Sequence, residues 1–159
     1  MQRHVWAGNA TFRVQADRQN WTAREIVRQI ELTRANEGST GNIHFNMSSL
    51  LRNRGGVTDA IAEAAYSHHA LMPRTPWLDD QPPAAPTVRL LADGTLEIIH
   101  ADEQTFIYAL VMRNHGAWLA ETLPAAQTRY VLPDGVDLVG VSAVDRNGNE
   151  SDVVKLRAE

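Results

Sequence analysis

The sequence predicts an α+β chain in two parts: a partial β/α segment followed by an all-β sandwich. Three observations carry this prediction. The first half alternates strand-like and helix-like apolar patterns in the order β-α-β-α. The second half holds about seven short strand patterns separated by turns bearing Gly or Asn. Between them, residues 79–86 read Asp-Asp-Gln-Pro-Pro-Ala-Ala-Pro, polar and then proline-rich, which predicts a stiff extended connector. The expected divisions are therefore residues 1–80, an incomplete β/α part; 81–86, the proline-rich linker; and 87–159, the sandwich.

In the first part, His4-Val5-Trp6-Ala7 is a short apolar stretch ended by Gly8-Asn9, and predicts a buried strand. Thr22-Ala23-Arg24-Glu25 has the form of a capping box, and Ile26, Val27 and Ile30 then give an apolar stripe at helical spacing, with Gly38 as a stop. Asn42 to Met47 alternates strictly, with Ile43, Phe45 and Met47 on one face and Asn42, His44 and Asn46 on the other. A second helical segment runs from Thr58 to about Tyr66. Two strands with helical crossovers imply parallel pairing. Two strands cannot close a barrel, so this part is expected to be incomplete, either the tail of a larger domain or completed by association.

In the second part the expected strands are 87–91, 95–100, 106–113, 117–122, 129–132, 138–145 and 153–157. The turns between them are Ala92-Asp93-Gly94, Asn114-His115-Gly116, Pro133-Asp134-Gly135 and Asn147-Gly148-Asn149. Seven short strands in about 75 residues indicate an antiparallel sandwich.

Two segments carry resemblances to known families. Trp21 through Ile30, then Gly41-Asn42-Ile43-His44-Phe45-Asn46-Met47, then Tyr66, Ala70-Leu71-Met72-Pro73 and Pro76-Trp77-Leu78 together resemble the C-terminal end of bacterial glycosyl-hydrolase-like (β/α)8 barrel domains. The resemblance covers roughly residues 1–80. It implies that these are the last two βα units of a TIM barrel, that the parent acts on glycan such as peptidoglycan strands, and that it belongs to the bacterial cell envelope or is secreted. Val141 through Ser151 resembles the final strand pair of fibronectin type III domains. Two departures stand out: His100 occupies the place of the usual strand-B tryptophan, and Val139 that of the usual late-strand tyrosine, with Tyr108 or Trp118 available to replace the lost aromatic bulk.

Composition narrows the chemistry. Among 159 residues there is no cysteine, which excludes disulfides, zinc-thiolate centres and thiol catalysis. The net charge is −4 with no basic cluster, which makes nucleic acid a poor partner. Nine arginines face eight acids in residues 1–80, whereas six bases face eleven acids in 81–159. No apolar run reaches the ~18 residues of a membrane span, and Met1-Gln2-Arg3-His4 does not begin a secretory signal. His68-His69 near an expected helix end show no metal-ligand spacing, so no metal and no cofactor is expected.

A glycosidase needs two carboxyl groups at the C-terminal ends of barrel strands. The strand ends Gly8-Asn9 and Asn46-Met47-Ser48 carry neither Asp nor Glu, and Asp17 reads as a solvated loop acid. No catalytic residue is therefore expected in this chain. What remains is a piece of substrate subsite. If Ile43, Phe45 and Met47 pack on the helices, His44 and Asn46 face the barrel interior. The same parity turns His4 and Trp6 inward and Val5 and Ala7 outward. Trp6 would then stack on a sugar ring, with Asn9, His44 and Asn46 bonding hydroxyls. The competing reading is a structural polar layer and an ordinary core tryptophan. On the sandwich, Trp118 is expected to be a packed residue and the module a spacer, with carbohydrate or protein binding as the alternative. Unpaired strand edges in the first part predict self-association.

Overall fold

The computed structural model describes residues 3–15, 20–100 and 102–158, and of His100 the backbone only. It divides into two compact units, residues 1–67 and 68–159.

In the first unit, strands β1 (Val5–Asn9) and β2 (Ser39–His44) pair in parallel, joined by the crossover helix α1 (Ala23–Arg34). Two further helices follow, α2 (Met47–Leu51) and α3 (Val57–Ala64). The α1 stripe forms as expected: Ile26 and Ile30 are fully buried against Val57 and Ile61 of α3, with Val14 closing the cluster. The capping box does not form. Thr22 is extended at the N-cap, but its side chain makes no capping bond. The Glu25 carboxylate accepts instead from Gln29 and Arg28, its neighbours one turn on. Among those donors, Gln29 does most to hold the Glu25 carboxyl below its usual range.

The second strand also departs from expectation. It ends at His44, and Met47 opens α2 rather than continuing the strand. The cause is local: Asn46 Oδ1 accepts from the Ser49 amide (3.2 Å) and the Ser48 hydroxyl (2.8 Å), an N-cap that turns the chain into a helix.

The second unit is a two-sheet sandwich. Strands β3 (Thr87–Leu90), β4 (Thr95–His100) and β7 (Arg129–Val131) form one sheet in the order β3-β4-β7. Strands β5 (Ile107–Asn114), β6 (Ala117–Pro124), β8 (Val136–Val144) and β9 (Val154–Arg157) form the other in the order β6-β5-β8-β9. All pairs are antiparallel, giving the two-sheet sandwich that the strand pattern predicts. The core lies between the sheets and is built from Leu96, Ile98, Tyr108, Leu110, Met112, Val139 and Val141. Tyr108 is fully buried in this core, whereas Trp118 is exposed on β6. The His100 side chain lies outside the described residues.

The expected boundary near residue 80 falls inside the second unit. The Thr75 amide and hydroxyl both donate to the Asn147 carbonyl (2.8 and 3.0 Å), and Asn149 Nδ2 donates to the Asp79 carbonyl. Pro83 and Pro86 are buried, and the Ala84 amide donates to Asp102. The proline stretch thus runs against the sandwich.

The turn 145–149 holds this strap. Asp145 Oδ1 accepts from the amides of Asn147 and Asn149 (both 2.8 Å), and Oδ2 accepts from Asn149 Nδ2. Gly148 sits at φ +76°, and a Cβ there would lie 2.6 Å from the Met72 carbonyl oxygen. Replacing Gly148 by Ala therefore combines a left-handed conformation with a backbone clash. It is expected to cost about 1–3 kcal/mol in thermal or denaturant unfolding, whereas Gly94→Ala, at φ +78° with open space around it, should cost less.

Candidate functional site

The first unit's chemistry is set by which way each strand residue points, and the β1–β2 register settles that. Trp6 pairs with Gly41 and Gly8 with Ile43, so these four share one face. Ala7 pairs with Asn42 and Asn9 with His44, and these share the other. Asn9 Nδ2 donates to Gln29 Oε1 of α1 (3.3 Å), which identifies the Asn9–His44 face as the one covered by helix. Among the described residues no helix covers the opposite face, where Trp6 and Ile43 are exposed.

This arrangement overturns the sequence-derived parity for β2. Ile43 was expected to pack on the helices and His44 to face the interior; Ile43 is instead exposed and His44 lies on the helix side. Alternation defines two faces but does not say which one a helix covers. Trp6 does lie opposite the helices, as expected, but with Ile43 for a neighbour and not His44. The four candidate residues are therefore not brought together.

Asn9, His44 and Asn46 each have structural surroundings. Asn9 is only 2% exposed and belongs to a chain of side-chain bonds running Asn9–Gln29–Glu25. His44 Nε2 lies 3.0 Å from the Tyr66 hydroxyl, their rings edge to face, and the Arg34 guanidinium sits over the Tyr66 ring. When Tyr66 donates to Nε2, the neutral imidazole carries its proton on Nδ1. Asn46 is the cap of α2 described above. His68 and His69, expected at a helix end, lie beyond α3, and His69 Nδ1 contacts Glu121 Oε1 at 2.8 Å.

Trp6 has the geometry of a binding platform. Its side chain is 52% exposed. Its Nε1 donates to the Thr40 hydroxyl (3.0 Å), and the ring passes so close to Gly41 that a Cβ there would lie 3.3 Å from Cδ1. Gly41 thus lets the indole lie against the strand, a role only the register reveals. Phe45, 64% exposed, meets Phe12 edge to face at 5.7 Å just beyond the strand end. A face of exposed aromatic rings over a flat strand pair suits the apolar face of a sugar ring better than an ion. Among the described residues, β1, β2 and the turns leaving them carry no Asp or Glu, and no group of side chains has the composition of a metal site. Asp17 lies outside the described residues.

Burial pushes the His44 imidazole below its usual value of 6.5. The folded state thus binds fewer protons than the unfolded chain near that pH, so His44 contributes stability above about pH 6.5 that is lost as pH falls through the folded value. Melting temperatures measured from pH 7.5 down to 5 should fall, and His44→Gln, which does not titrate, should flatten that dependence.

No family profile matches the sequence. It is 35% identical over 85 residues, 52% of this chain, to a protein named glycosyl hydrolase YngK of Bacillus subtilis (strain 168), and spans 17% of that protein's length. Among solved structures, a glycoside hydrolase domain of Endo-D (Spr0440) from Streptococcus pneumoniae R6 aligns with a TM-score of 0.32 and 16% identity over 49% of this chain and 15% of its own. An FN3 domain of human collagen XX aligns with a TM-score of 0.38 and 15% identity over 56% of this chain and 100% of its own. Over about half its length, the chain is thus similar to a protein named as a glycosyl hydrolase, and it spans under a fifth of that protein.

Proposed function

We propose that this chain is the C-terminal part of a bacterial glycoside-hydrolase-like protein acting on peptidoglycan glycan strands, with the first unit supplying one wall of a (β/α)8 cleft and no acid/base pair. In this reading β1 and β2 are the last two staves, the helices α1 and α3 lie outside, and Trp6 and Phe45 face the glycan. The observation that carries it is the open β1–β2 face: Trp6 lies against Gly41 with its indole exposed, and no carboxylate stands on either strand. Retaining and inverting hydrolysis both need two carboxyl groups flanking the bond, so the chain alone has the means to hold a sugar and not to cleave it. The protein works in the bacterial envelope or outside the cell.

The purified chain incubated with peptide-stripped peptidoglycan is expected to release no reducing ends; turnover would overturn the missing-carboxylate argument. Binding of chitotetraose, read by tryptophan fluorescence, should weaken about tenfold or more in Trp6→Ala and in Gly41→Val, which displaces the indole. Unchanged binding in both would remove Trp6 from the reading.

The same open face exposes Trp6 and Ile43, Phe45 is exposed just beyond β2, and in the described residues neither strand has a second partner. Exposed apolar surface and open edges favour association. Light scattering of the isolated chain should report a dimer that Ile43→Lys dissociates; a monomer at all concentrations would oppose self-association.

A further inference from the structure

The outer face of the four-stranded sheet carries a second surface. Tyr108, Leu110 and Met112 of β5 point into the core, so Val111 and Arg113 point outward. The strand register extends each of these into a row. One row reads Trp118–Arg113–Leu138–Arg157 and the next Ala120–Val111–Gly140–Lys155, crossing β6, β5, β8 and β9. Three strand spacings make each row about 14 Å long, the span of two to three sugar rings.

The rows have a consistent character. Trp118, 56% exposed, stands at one end, and Lys155 and Arg157, both exposed, stand at the other. The floor between them is low and apolar. It is formed by Ala120, Val111 and Gly140, and Val153 folds over Gly140 so closely that a Cβ there would lie 2.9 Å from Cγ1. In the middle, Arg113 is clamped by Asp137, with Nε at 2.9 Å from Oδ1 and Nη2 at 2.7 Å from Oδ2. That fork fixes the guanidinium plane. Three cations thus share this face with the Asp137 carboxylate, in a unit whose sequence is acidic. The next row, Thr122–Ala109–Ser142, adds Glu150, whose Oε1 accepts from the Ser142 hydroxyl.

We propose that this face binds an acidic saccharide, with a sugar ring on Trp118 and its carboxylates on Arg113, Arg157 and Lys155. The charge complementarity selects an anion. The exposed indole beside the cations selects a ring face over an extended peptide, which would instead use the backbone edges of β6 or β9. The sugar backbone rests on the glycan reading above, but the residues belong to the other unit, so the two can fail separately.

The test compares two tetrasaccharides with the full chain. One alternates N-acetylglucosamine and N-acetylmuramic acid and carries lactyl carboxylates; the other is chitotetraose, which has a similar backbone and none. Amide shifts in NMR should cluster on β5, β6, β8 and β9 for the acidic ligand only. Binding read from the β5, β6, β8 and β9 amides should weaken tenfold or more in Trp118→Ala and in Arg157→Glu, and fall with added salt. Equal shifts on β5, β6, β8 and β9 with both ligands, shifts confined to the first unit, equal binding of poly-glutamate, or no binding at millimolar acidic ligand would each overturn the proposal. Lys155→Glu and Arg157→Glu lie on the exposed surface, so a folded variant is available even where Trp118→Ala melts early.

Discussion

The pairing of Trp6 with Gly41 is the constraint on which the first unit depends. A parallel ladder one residue out of step would turn every side chain of one strand to the other face. With the observed register, the amide of Asn9 meets Gln29 of α1, and His44 meets Tyr66 just beyond α3. The apolar residues Trp6 and Ile43 are left together on the face no helix covers. The result inverts the usual economy of a βα unit. Its apolar core forms between α1 and α3, and the layer between sheet and helices is polar.

That inversion explains why the candidate residues separate. Asn9 and His44 were attractive as hydroxyl-binding groups because polar residues at strand ends often serve ligands. They are instead held by neighbours, Asn9 almost wholly buried and His44 bonded to Tyr66. Asn46 is committed to the start of α2, where its side chain accepts from the Ser49 amide and the Ser48 hydroxyl. Trp6 remains because its neighbour lacks a side chain.

The sandwich follows a different logic. Its core is apolar and its face assignment follows from alternation along β5 and β8, where Tyr108, Leu110 and Met112 meet Val139 and Val141. Tyr108 supplies aromatic bulk to this core, while the β5–β6 register places Trp118 on the outer face beside Arg113. The strap from Met72 to Asp79 is fixed by the Asp145–Asn149 turn, so residues that read as an approach to a linker are part of the second unit's structure.

Local patterns by themselves determined much of this protein. The helix stripe of Ile26 and Ile30, seven strands placed to within two residues, and the glycine turns all follow from short-range sterics and period. The end of β2 was legible less well, because Asn46 serves equally as an alternating strand residue and as a helix cap, and only the chain's later course decides between them. Three things were left to tertiary structure: which face of β2 meets a helix, which aromatic fills the sandwich core, and where the first unit stops. Each depends on which distant segment arrives to cover a surface, as Gln29 covers Asn9 and Asn147 meets Thr75. A period of two names the faces of a strand, but packing against another element assigns them.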